Sequence, residues 1–170
     1  LAAYTPAGDM HVLLGDFTGH GLPAAVGAMP LAEVFYGMTA KGYGLAETLR
    51  EMNAKLKRIL PVDMFCCATL LCLSSLRRSV EVWNGGMPDG YLHRLATGER
   101  VPLKARHLPL GVLSAQAFDD STEVHAMAVD DRVFLLSDGV IDTSDANDQL
   151  FGVERLQQVF AANRQPDRLF

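Results

Sequence analysis

Cysteine is scarce: Cys66, Cys67 and Cys72 are the three in 170 residues, and their spacing fits no zinc or redox motif. Neighbouring residues of a strand point to opposite faces, so Cys66 and Cys67 are poorly placed to pair with each other. Three buried thiols used as core residues fit a reducing cytoplasm. Positive charge is not in excess. Fifteen Lys and Arg against twenty Asp and Glu leave a formal charge of −5, which argues against non-specific binding of nucleic acid or of an anionic membrane. No apolar run is long enough to span a bilayer. No signal peptide opens the chain, and Leu1 begins in mid-pattern, so we expect an internal piece of a longer polypeptide. Internal repeats, low-complexity segments and a second domain boundary are also missing. One domain over residues 1–170 is the natural expectation, able to bury roughly 70% of its unfolded surface.

What is present centres on Leu13-Leu14-Gly15-Asp16-Phe17-Thr18-Gly19-His20-Gly21-Leu22-Pro23-Ala24-Ala25. The apolar run His11 to Leu14 reads as a strand, and Leu22-Pro23-Ala24-Ala25 opens a helix with Pro23 in its first turn. A carboxylate, Asp16, therefore sits where a strand gives way to a helix. The spacing of Gly15, Gly19 and Gly21 matches no dinucleotide fingerprint, and no lysine follows Gly21 as a phosphate loop requires. An oxygen ligand on such a turn suits a hard cation such as Mg²⁺ or Mn²⁺, although a solvated turn aspartate fits the spacing equally well.

The rest of the chain reads in order. Leu1 to Thr5 and Met10 to Leu14 flank Pro6-Ala7-Gly8-Asp9 as a hairpin, which makes Asp9 a turn residue and not a ligand. Leu22 to about Met38 is apolar on nearly every face, so this helix is expected to be buried, with a kink at Pro30. Leu45, Leu49, Met52, Leu56 and Ile59 form the stripe of a second helix, with Glu51 placed to pair with Lys55 on its outer face. Met64 to Leu73 is expected as a central strand and Arg78 to Trp83 as a half-buried one. Gly90 to Arg94 forms a short strand before the hairpin turn Thr97-Gly98-Glu99. Val101 to Ala117 reads as irregular. Thr122 to Val129 and Arg132 to Ser137 are two strands joined by Asp130-Asp131. The second is apolar on both faces and is expected to be central. Val153, Leu156 and Phe160 mark a final helix.

Asp16 and Asp138 carry the chemistry of this reading. Each ends an apolar strand and is followed by a glycine-containing turn, and two strand ends can converge on one cation pair. Ser137 lacks the Gly-x-Ser-x-Gly elbow of a nucleophile. His20 is a candidate proton donor and equally an ordinary turn histidine. His11, His93, His107 and His125 share no ligand spacing.

Gly15-Asp16-Phe17-Thr18-Gly19-His20-Gly21-Leu22-Pro23-Ala24-Ala25 resembles the Gly-Asp-Val-Ser-Gly-His-Gly-x-Pro-Ala-Ala signature of SpoIIE-like phosphatases, the bacterial branch of the PPM metal-dependent serine/threonine phosphatases. Four further segments resemble that family in its order: Asn84-Gly85-Gly86-Met87-Pro88, Leu108-Pro109-Leu110-Gly111-Val112, Leu135-Leu136-Ser137-Asp138-Gly139-Val140, and Phe151-Gly152-Val153-Glu154-Arg155-Leu156. Met87 stands where the family has histidine.

The resemblance implies an α/β sandwich of two mainly antiparallel sheets packed face to face with helices outside. It implies hydrolysis of phosphoserine or phosphothreonine by water activated between two Mn²⁺ or Mg²⁺ ions, without a phosphoenzyme. Asp16 and Asp138 match the family's metal-ligating, catalytic carboxylates, and Phe17 matches a position that lends only its backbone carbonyl. Asp142 lies where an acidic residue often follows. The family's first metal aspartate would precede Leu1 and its last would follow Phe170, so residues 1–170 are expected to hold metal weakly. A phosphorylated anti-sigma-factor antagonist as substrate, and a receiver or sensor domain in the same cytoplasmic polypeptide, are implied by the same resemblance. The rival reading is a catalytically silent module that keeps the fold and binds a regulatory partner.

Overall fold

A computed structural model describes residues 1–19 and 22–162. In chain order the elements are β1 (Ala2–Tyr4), β2 (Met10–Phe17), α1 (Leu22–Ala40), α2 (Leu45–Ile59), β3 (Cys66–Ser74), β4 (Ser79–Gly85), β5 (Gly90–His93), β6 (Arg100–Leu103), β7 (Glu123–Ala126), β8 (Arg132–Phe134), α3 (Asp138–Ile141) and α4 (Gly152–Ala162). The strands form two antiparallel sheets, ordered β1-β2-β3-β4-β7 and β6-β5-β8. This is the mixed sandwich expected from the sequence.

β3 is central, as its unbroken apolar run predicts. Its alternation divides the core in two. Cys66, Ala68, Leu70 and Cys72 face α1 and α2, in a cluster with Leu13, Leu31, Phe35, Leu49, Met52 and Trp83. On the other face Leu71 joins Val80, Val82, Leu92 and Leu103, drawn from both sheets, in the layer between them. α2 follows its stripe: Leu45, Leu49, Met52 and Leu56 are buried, while Ile59 is half-buried at the helix end. Lys55 pairs with Glu33 of α1 at 3.7 Å, and not with Glu51 as expected.

Three expectations need correction. α1 is not buried all round. Gly27, Leu31, Phe35 and Thr39, four residues apart, form its buried line, while Val26, Met29 and Tyr36 are exposed. Its apolar composition exceeds what one sheet face and one neighbouring helix can cover. Pro30 lies within a continuous helix. Arg132 to Ser137 is not a central strand. β8 is only Arg132–Phe134 and lies at the edge of the smaller sheet, and Leu135 to Ser137 run on outside the ladder. It reads as apolar on both faces because Val133 and Leu135 pack between the sheets while Phe134 meets Phe160 of α4. Burial of both faces does not require hydrogen-bonded neighbours on both edges. Finally, Val101 to Ala117 is not irregular throughout: its first residues belong to β6, Arg100–Leu103, which pairs with β5.

The turn at Ala128–Asp131 carries the chain from one sheet to the other. The Arg94 guanidinium donates to the Ala126 carbonyl and to Asp131 at 3.1 Å, and Asp131 also accepts the N–H groups of Leu95 and Ala128. Burial alone would raise the Asp131 carboxyl. These three donors, with the Arg94 charge, outweigh it and hold the group below the usual range.

His11, on the helix-facing side of β2, is 2% exposed, and its Nδ1 lies 3.1 Å from the Thr39 hydroxyl of α1. Burial lowers its pKa from 6.5, opposed by the charges of Asp9 and Glu81. The unfolded chain therefore takes up a proton near 6.5 that the folded chain resists, and stability is lost as pH falls through that value. Denaturation midpoints measured from pH 7.5 to 5 should decline more steeply for the wild type than for His11→Gln. Gly85 provides a second check. A Cβ there would stand 2.7 Å from the Leu108 carbonyl oxygen and 2.2 Å from the edge of the Trp83 ring. Gly85→Ala should lower stability by about 1–3 kcal/mol in urea titration, the ordinary cost of overpacking.

Candidate metal centre at the seam between the sheets

Asp16 and Asp138 reach one place from different sheets. Asp16 is the penultimate residue of β2, paired in register with Cys67 of β3. Along β2, His11 and Leu13 face the helices, so Asp16, out of phase with them, faces the space between the sheets. Asp138 comes from the smaller sheet. The chain leaves β8 in extended form, Ser137 takes the N-cap position at φ −97° and ψ 163°, and Asp138 is the first residue of α3. It therefore sits in a helical first turn and not at a strand end.

The two carboxyls are close enough to hydrogen-bond. Burial, that hydrogen bond and the charge of Asp138 raise the Asp16 carboxyl above its usual range, and the Phe17 N–H donating to it offsets part of the rise. Together they line a cavity of about 80 Å³ with Phe17, Thr18, Cys67 and the Gly86-Met87-Pro88 turn. The Phe17 side chain points away, into the helix-side core, where a Cβ on Gly27 would strike its ring at 2.5 Å. Only the backbone of Phe17 is left to serve the cavity.

Five lining residues are not among the candidate ligands: Thr18, Cys67 and the Gly86-Met87-Pro88 turn. The sequence places Cys67 in the core. The alternation that buries Cys66 turns Cys67 toward the carboxylates. Burial pushes the Cys66 thiol up to about 12, whereas Cys67 is raised by burial and then by Asp138 and Asp16. Strand phase was the available signal, since the partner of Asp16 in the register must share its face. Thr18 is fixed by Phe65: its N–H and hydroxyl face the Phe65 carbonyl at 3.1 and 3.3 Å, and the Phe65 N–H donates to its hydroxyl at 3.0 Å. Met87 is buried, and its N–H donates to the Asn84 side chain at 3.1 Å. The Asn84 amide in turn donates to the Pro88 and Leu103 carbonyls, which closes the turn. Gly86, at φ 82°, has no room for a Cβ between Pro109 and the Cys67 sulfur.

Ser137 and Asp142 do not line the cavity. Asp142 is exposed and ends α3 with its N–H donating to the Asp138 carbonyl. His20 and Gly21 lie outside the described residues. Asp9 is a turn residue, as expected, with its carboxylate 3.0 Å from Arg77.

The donor set is two carboxylates and backbone oxygen, which is the hard-oxygen chemistry that Mg²⁺ or Mn²⁺ takes, and a cation would relieve the like-charge contact. Among the described residues no group of three His, Cys, Asp or Glu side chains is placed to hold an ion. These residues therefore fit part of a divalent site.

The model of the family described as "Stage II sporulation protein E (SpoIIE)" matches residues 6–170. The phosphoserine phosphatase RsbP of Bacillus subtilis (strain 168) is 25% identical over 135 residues, which is 77% of this chain and 33% of that protein. The chain thus spans about a third of the length of this curated relative. Among solved structures, the SiaA-PP2C domain of Pseudomonas aeruginosa aligns with a TM-score of 0.72 at 21% identity, covering 93% of this chain and 67% of that one. The catalytic domain of the serine threonine protein phosphatase PstP in complex with two manganese ions aligns with a TM-score of 0.63 at 15% identity, covering 92% and 74%. With the match running over nearly its whole length, the chain belongs to the SpoIIE family, and it shares its sandwich fold with these solved phosphatase domains.

Proposed function

We propose that this chain is the phosphatase module of a signalling protein and hydrolyses phosphoserine or phosphothreonine on a protein substrate. One observation carries the reading: Asp16 and Asp138, from different sheets, are held against each other at one small cavity. Asp16 and Asp138, with the Phe17 carbonyl, would hold Mn²⁺ or Mg²⁺. When bound, such cations lower the pKa of water and neutralise charge on a phosphoryl group. Asp16 carries its charge between the sheets, where burial strengthens its attraction for a cation. Thr18 and the Gly86-Met87-Pro88 turn shape the opposite walls.

Ser137 stands outside the cavity, which favours direct hydrolysis over a phosphoseryl intermediate. The named activity of RsbP supports phosphoserine as the substrate group. The finer reading follows the family resemblance: the substrate is a phosphorylated antagonist of an anti-sigma factor, and a receiver or sensor domain in the same cytoplasmic polypeptide governs the site. No helix among the described residues is long and apolar enough to cross a membrane. The rival silent module has no need to keep two mutually repelling carboxylates in contact.

Calorimetric titration of the full-length polypeptide with Mn²⁺ should give binding that Asp16→Asn weakens at least tenfold. Equal affinity in both proteins would remove Asp16 from the site. The same protein should release phosphate from p-nitrophenyl phosphate and from a phosphoserine protein only with Mn²⁺ or Mg²⁺, and Asp138→Asn should reduce the rate by about 100-fold or more. Brief reaction with ³²P-labelled substrate should leave no label on the enzyme, and label on Ser137 would refute direct hydrolysis.

A further inference from the structure

A groove of about 550 Å³ is lined by Leu60, Val62, Met64, Phe65 and Val112, together with the charged Lys57 and Asp63. One wall is a tight turn. The Met64 N–H donates to the Pro61 carbonyl at 3.2 Å, Asp63 takes φ 70°, and Val62 is lifted to the tip at 89% exposure. The other wall is the segment through Gly111 and Val112. The Asn53 side chain accepts the Gly111 N–H at 2.9 Å and donates to the Leu113 carbonyl at 3.1 Å. Lys57 donates to the Val112 carbonyl at 3.0 Å, and Leu110 exchanges backbone hydrogen bonds with Cys66. Both walls are therefore held in place before anything binds.

The groove is joined to the site through one residue. Phe65, in the groove wall, makes the backbone and hydroxyl contacts that fix Thr18, and Thr18 lines the carboxylate cavity. Phe65 lies two residues before Cys67, roughly 7 Å along an extended chain. An extended peptide advances about 3.3 Å per residue, so a side chain two or three positions from a residue seated in the cavity reaches the groove. A bound cation would attract any phosphoryl group alike, so preference among phosphoproteins must come from contacts away from it.

We propose that this groove is a substrate-recognition subsite that takes an apolar side chain two or three residues from the phosphorylated serine. The proposal rests on the phosphatase reading above.

The test uses the full-length polypeptide with Mn²⁺, p-nitrophenyl phosphate, and phosphoserine peptides carrying either Leu or Ala at the second and third positions on each side of the phosphoserine. In the wild type, at least one Leu peptide should exceed its Ala counterpart by about tenfold in kcat/KM, mainly through KM. That ratio should fall toward one in Val62→Glu and persist in Val62→Ile. Each ratio compares two peptides on one enzyme, so an overall change in folding or rate does not affect it. Turnover of p-nitrophenyl phosphate and all peptides without a Leu preference, or a preference that survives Val62→Glu, would overturn the groove and leave the phosphatase reading standing. If the wild type turns over neither p-nitrophenyl phosphate nor any peptide, the phosphatase reading fails and the groove assignment falls with it.

Discussion

The two faces of β3 set the position of every other layer. A strand hydrogen-bonded on both edges and covered on both faces leaves no polar backbone exposed, but it must keep a strict side-chain period. Leu70 and Cys66 commit one face to the helices, and Leu71 and Cys67 commit the other to the second sheet. A slip of one residue would put Cys66 into the cavity and Cys67 into the helix-side core. Asp16 depends on the same register, because Cys67 is its partner across the ladder.

The seam between the sheets is where a costly arrangement can be kept. Two carboxylates in contact oppose each other, and neither sheet alone would bring them together. The sheets are fastened elsewhere. Leu71, Val80, Leu92 and Leu103 pack between them, and Arg94 and Asp131 tie the crossing turn to β5 and β7. Packing away from the site thus holds the carboxyls together, and burial adds to the repulsion that a cation would relieve.

Residues whose environment is set by their own strand or helix were legible. The stripe of α2 and the apolar run of β3 each encode local periodicity, and the glycines and carboxylates of the Asp16 turn announce both geometry and chemistry. What remained illegible depends on partners distant in sequence. α1 is apolar enough to be buried twice over, and nothing local reveals which faces will find a cover. β8 has two apolar faces, but its hydrogen-bonding edges are a separate matter that its composition does not record. Lys55 had an acceptable partner four residues away and took one on another helix. Cys67 looked like its neighbour Cys66, and only the ladder separates a core thiol from one at the cavity.

The chain carries a single tryptophan, Trp83, 1% exposed. Its indole N–H donates to the Asp119 carbonyl at 3.0 Å, and its ring lies nearly parallel to His107 with the centroids 5.2 Å apart. Both partners belong to the long excursion between β6 and β7, and Trp83 itself immediately precedes Asn84, whose side chain closes the cavity turn. Within residues 1–170, ultraviolet emission excited near 295 nm therefore comes from one address, with an imidazole stacked against it. That probe stands between the loop that walls the groove and the turn that walls the site.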